Sequence, residues 1–77
     1  MIKLFVDFNN ADSHGRIRLN TKGTLEDIIN GGVILHNGMK VILDDFDGLR
    51  VLGYIEFSTE EKIWAAKIKW NEIEKYS

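Results

Sequence analysis

Residues 63–70, IWAAKIKW, put the strongest constraint on what this chain can fold into. Trp64, Ala66, Ile68 and Trp70 share one parity; Lys67, Lys69 and Asn71 share the other. A strand sends alternate side chains to opposite faces, so this spacing predicts a half-buried strand. The helical alternative starts well, because Ser58-Thr59-Glu60-Glu61 matches a capping box. Ile63, Ala66, Trp70 and Ile73 then follow at helical spacing. But a helix would set Trp64 and Ile68 on the far side, beside Asn71 and Glu72. The strand keeps its apolar face unbroken through Trp70.

The same alternation recurs. In residues 2–8, Ile2, Leu4, Val6 and Phe8 share one face and Lys3 and Asp7 the other, with Phe5 as an aromatic on the polar side. Residues 9–15 are turn formers, and in 16–20 Ile17 and Leu19 alternate with Arg16 and Arg18. Residues 2–20 therefore read as a hairpin. Asn37-Gly38 between apolar runs signals a second hairpin, from 33–36, a short strand or an extended lead-in, into the better strand, 39–43. In 49–57, Val51, Ile55 and Phe57 share a face, and Gly53 suggests a bulge or tight bend. That segment is expected to pair with 62–70 through the loop 58–61.

One segment changes period. Leu25, Ile28 and Ile29 are spaced for a short helix over about residues 24–30, with Thr24 as its N-cap. Asn30-Gly31-Gly32 ends it. So short a helix has to be held by its apolar face.

Seventy-seven residues make one domain, 1–77, and the absence of cysteine excludes disulfides and thiolate metal sites. Five to six short strands in that length favour a curled sheet, which limits open edges. The expected fold is mainly β: a small SH3-like barrel of five to six strands with one short α-helix. No apolar run approaches the roughly 18 residues that cross a bilayer. The start, MIKLFVDF, is too short and too acidic for a signal peptide. A cytoplasmic protein is expected, without membrane contact.

The segments GMKVIL, LRVLGYIEF and IWAAKIKW together resemble the central meander of small SH3-like barrels. LFVDFNNADSHGRIRLNTKGTLEDI followed by EEKIWAAKIKW resembles a group of short, uncharacterised bacterial proteins. The resemblance implies a bacterial or phage origin and the barrel fold. It implies no activity, since such barrels serve many roles.

Candidate chemistry is sparse. Asn10, Asp12 and His14 before Gly15 have the beat of a calcium loop, but the twelfth position is Thr21 rather than a bidentate glutamate. Asp44, Asp45 and Asp47 read as a solvated turn. His14 and His36 have no nucleophile motif beside them. No cofactor and no metal are expected, and the chain is read as not an enzyme. Lys67 and Lys69 with Arg16 and Arg18 form an outward basic strip if their strands are neighbours, with Phe5 in it for stacking. Tyr54 and Trp70 are the aromatics expected to stay partly exposed.

The expected function is a non-enzymatic small binding module acting through protein–protein contact, with self-association as one form of it. Outward Phe5, Ile42, Leu52 and Tyr54 leave apolar surface for a partner to cover. The tentative binding residues are Phe5, Arg16, Arg18, Tyr54, Lys67, Lys69 and Trp70. The alternative is a nucleic-acid or nucleotide binder using Arg16, Arg18, Lys67 and Lys69. Ten Lys and Arg against twelve Asp and Glu weigh against it. A small enzyme or metal-binding protein ranks last.

Overall fold

The computed structural model describes residues 1–76, a mainly β chain. Strands β1 (Lys3–Phe5), β2 (Ile17–Arg18), β3 (Lys40–Asp44), β4 (Leu49–Ser58), β5 (Ile63–Ile68) and β6 (Glu74–Lys75) form one sheet. Helix α1 (Lys22–Asn30) lies between β2 and β3 in the chain. The sheet order is β1-β3-β4-β5-β2, with β6 on β4. The sheet curls into a half-barrel, the small mainly β barrel with one short helix that the alternation predicts.

The curl is built on β4. Its first half pairs with β3, from Arg50 to Tyr54, and its second half with β5, from Gly53 to Ser58. Gly53 sits where the two pairings overlap, between Val41 and Ile68. No bulge occurs there, because the register runs through unbroken. Glycine is needed for space: a Cβ would come within 2.9 Å of Leu43 Cδ1 and 3.3 Å of Ile68 Cγ2. Around this seam Leu4, Val6, Ile17, Val41, Leu43 and Ile55 are buried as the core, with Trp64 and Ile68 packed against it.

The stretch read as a strand is one over Ile63–Ile68. The apolar face expected through Trp70 stops two residues earlier. Trp70 opens a single 3₁₀ turn, Trp70–Glu72, and is 46 % exposed.

The expected hairpin over 2–20 does not form. β1 runs parallel to β3, and β2 runs antiparallel to β5. The turn residues close a tighter loop instead. Asp12 N donates to Arg16 O at 2.8 Å and Arg18 N to Asn10 O at 2.9 Å. Asp12 Oδ1 fixes that loop by accepting the amides of His14 and Arg16, both at 2.9 Å. The chain leaving β1 thus crosses to the opposite edge of the sheet and pairs beside β2.

Asn37-Gly38 makes no hairpin either, and 33–36 is not a strand. The turn docks on β4: Gly38 N donates to Ile55 O at 2.8 Å, and Asn37 Oδ1 accepts from Phe57 N at 2.8 Å.

Helix α1 begins earlier than expected. Thr21, not Thr24, is the N-cap, and Thr24 is fully buried. The helix is also turned from its expected face. Thr24 Oγ1 donates to Phe5 O at 2.6 Å, and Asp27 Oδ2 accepts from Phe5 N at 2.7 Å. These bonds satisfy the Phe5 amide and carbonyl on the side of β1 away from β3, at what would otherwise be an open edge. Ile28 packs on the core, while Leu25 and Ile29 point outward. No helix among the described residues is long and apolar enough to cross a membrane.

Candidate binding surface

In β4 the inward residues are Val51, Gly53 and Ile55, so Leu52 and Tyr54 lie on the outer face of the β3–β4–β5 meander. Register places Lys40 and Lys67 directly beside Tyr54, one on each neighbouring strand. Tyr54 is 43 % exposed, and Lys40 Nζ lies 6.0 Å from its ring centroid. The adjacent row pairs Ile42 with Leu52, both half-buried, as an apolar floor.

The chain after β5 forms the wall of this surface. Lys69 and Glu72, 3.9 Å apart, complete a cleft of about 360 Å³ with Leu52, Tyr54 and Lys67. Leu52 and Glu72 also line an adjoining hollow with Ile42, Arg50 and Glu74. Lys67 lines a third, with His14, Arg16 and Glu56. The first shares Leu52 and Glu72 with the second and Lys67 with the third, and together they line a trough across the outer face. The first two hollows have Leu52 in an apolar floor, the third is lined by polar side chains, and all three carry both signs of charge.

The expected basic strip is largely neutralised. Arg16 is held on three sides, by Asp12 Oδ2 at 2.8 Å, Glu56 Oε1 at 2.6 Å and Ser58 Oγ at 3.4 Å. Arg18 makes a bidentate pair with Glu61, both bonds 2.8 Å, and reaches Ala11 O at 2.9 Å. Both arginines fasten the 10–18 loop to β4 and the turn after it. The Glu56 bond, then Asp12, raises the Arg16 guanidinium, and Glu61 raises Arg18. Burial pushes the Asp12 carboxyl up. The amides of Arg16 and His14 and the Arg16 guanidinium outweigh it and hold Asp12 below the usual carboxylate range. Among the described residues, Lys40 and Lys67 have no carboxylate within 4.0 Å.

Phe5 lies outside the trough. Its ring packs on Gly23, where a Cβ would sit 2.6 Å from Phe5 Cδ2, and stacks on Phe46 with centroids 6.3 Å apart. It is a support for α1, not part of a basic strip. Trp70 is fixed to the 10–18 loop, its indole Nε1 donating to Gly15 O at 3.0 Å. Tyr54, Lys67 and Lys69 are therefore the tentative binding residues that meet in one cleft. Glu72 joins them there, and Lys40 stands beside Tyr54 on β3. Lys40 shares the parity of Ile42, so the alternation of MKVIL could have found it; Glu72 ends the unexpected 3₁₀ turn and carries no such signal.

The loops read for chemistry spend their polar groups on their own backbone. Asp45 Oδ1 accepts from Asp47 N at 2.8 Å and Leu49 N at 3.0 Å, and Asp44 Oδ1 from Phe46 N at 2.7 Å. Asp44 also accepts the Tyr76 hydroxyl. Burial raises Asp44, but the Tyr76 hydroxyl, the Phe46 amide and the nearby Lys3 and Arg50 bring it below its ordinary value. The same bond, with burial, raises Tyr76. His14 Nε2 lies 2.9 Å from Glu60 Oε1 at the surface, and His36 lies in the turn before Asn37. Among the described residues no three His, Asp or Glu side chains gather as metal ligands.

Comparisons with protein-family models, with curated proteins and with solved structures found no match.

Proposed function

We propose that the chain is a non-enzymatic binding module of the cytoplasm that acts by protein–protein contact, through the outer face around Tyr54. One observation carries the reading: a half-exposed tyrosine stands between two cross-strand lysines, Lys40 and Lys67, over a floor of Ile42 and Leu52. Tyrosine offers a large amphipathic contact at low entropic cost, and such residues form the centres of protein interfaces. The trough adds Glu56, Glu72 and Glu74 to its lysines. A rim of both signs suits a polypeptide, which carries both signs itself. A nucleic-acid backbone carries one sign, and the arginines that would meet it are already matched by carboxylates.

The test is affinity capture from the source cell with the immobilised full chain, beside Tyr54→Ala. A protein retained in stoichiometric amount by the native chain and lost with Tyr54→Ala is the expected result. Equal retention by both, or no retained protein, overturns the reading. Salt-sensitive retention of RNA or DNA in its place would favour the nucleic-acid alternative.

A further inference from the structure

Charge is unevenly spread over the outer face. The cleft at Tyr54 is lined by Lys67 and Lys69 against Glu72, and Lys40 stands on the other side of the ring. Positive charge is thus in excess here, although the chain as a whole carries −2. The carboxylates near these lysines are engaged: Glu72 lies 3.9 Å from Lys69, and Glu56 is held by Arg16 at 2.6 Å. Lys40 and Lys67, both exposed, flank the half-exposed ring with their charges unmatched among the described residues. Past Leu52 the sign reverses. There Glu72 and Glu74 face Arg50, which already lies 3.7 Å from Glu74.

We propose that this face takes an extended polypeptide segment with an acidic residue at one position and an aliphatic residue two positions away, the carboxylate set over Tyr54 between Lys40 and Lys67 and the aliphatic side chain on Leu52. The inference names the class of partner and rests on the reading of the Tyr54 face as a protein-binding surface.

Charge complementarity selects this occupant. Each lysine is a compact charge with three donors on a flexible stem, and the tyrosine hydroxyl is a further donor, so the site offers donors to an acceptor-only carboxylate. A basic segment would meet two unmatched lysines and be repelled. Tyr54 and Leu52 lie two residues apart on the outer face of β4. That spacing is about 7 Å, and an extended segment repeats its own side chains at the same interval. An acid over Tyr54 therefore brings the side chain two positions away to Leu52, where the lining turns apolar. A second acid further along would approach Glu72 and Glu74. A nucleic acid carries a phosphate at every nucleotide and meets that repulsion necessarily. A polypeptide can carry one acid and stop.

The probe is a synthetic peptide blocked at both ends, Gly-Ser-Gly-Glu-Gly-Leu-Gly-Ser-Gly, titrated into the isotope-labelled full chain and followed by amide chemical shifts. Saturable shifts centred on Leu52 and Tyr54 are expected. Affinity should fall about tenfold when the peptide carries Gln for Glu, and by a similar factor in the double variant Lys40→Gln with Lys67→Gln. Both lysines are exposed, so the double variant should keep its circular dichroism. Serine for leucine in the peptide should weaken binding as well, and Lys22→Gln, on the helix, should leave it unchanged. Equal affinity of the Glu and Gln peptides, shifts centred elsewhere, or no saturable shift overturns the proposal. So does tighter Tyr54-dependent binding of oligothymidylate than of the Glu peptide. A protein captured through Tyr54 but held equally by the double lysine variant overturns this inference alone and leaves the trough reading standing. Capture of no Tyr54-dependent protein removes both.

Discussion

A methyl group added at Gly53 would enter the buried seam where β4 exchanges β3 for β5, 2.9 Å from Leu43 Cδ1. Overpacking of this kind costs about 1–3 kcal/mol. Gly53→Ala is therefore expected to lower the urea midpoint with an unchanged slope; an unchanged midpoint would mean that Leu43 yields freely. The sequence marks Gly53 as special by its place inside an apolar run. It does not say why, because Leu43 and Ile68 come from other strands. Arg16 and Arg18 illustrate the same limit. Their outward parity is readable, but Glu56 and Glu61 lie some forty residues away, and only the folded sheet brings those carboxylates to them. An arginine read alone is a free charge; paired, it is a fastening.

Helix α1 shows what periodicity captures at the scale of an element and what it misses. Leu25, Ile28 and Ile29 reveal that a helix exists and where it stops. They mislead about its buried face, since Ile28 alone of the three packs on the core. The helix docks on a strand edge, and an edge asks for hydrogen bonds, so Thr24 and Asp27 face inward in place of two aliphatic residues. Thr24→Val keeps the shape and removes the hydroxyl, leaving the Phe5 carbonyl unsatisfied. A loss of about 1–3 kcal/mol is expected. Amide hydrogen exchange checks the cause: Phe5 and its strand should lose protection more than β4 does. Uniform loss across the sheet would contradict this local grip. Strand β5 was more legible because its alternation reflects a sheet face that is apolar on one side only. Its end at Ile68 was not, since Trp70 obeys the same parity while its indole serves the 10–18 loop.

For the whole molecule, the class of fold followed from counting short alternating segments, while their order in the sheet did not. Parity says which side chains face inward and is silent on which strands are neighbours. The molecule also has a definite response to pH. Asp12 and Asp44 titrate below their ordinary value in the folded chain. Their contribution is present above about pH 3.9 and is lost as pH falls through the lowered values. Tyr76 is raised, so its contribution is present below about pH 10 and is lost as pH rises through the raised value. Urea midpoints measured across pH should form a plateau that falls at both ends. Tyr76→Phe should remove part of the alkaline fall and spare the acid fall due to Asp12. An alkaline limb identical in the variant would show that the Asp44–Tyr76 bond is not its source. The sheet order also bears on synthesis. Residues 3–18 leave the ribosome before residues 40–68, yet β1 pairs with β3 and β2 with β5. Apart from the small 10–18 loop, this early segment has no template until residues 40–68 have followed it. The nascent chain therefore assembles its sheet late and from the middle outward, its first-made strands waiting for the meander that receives them.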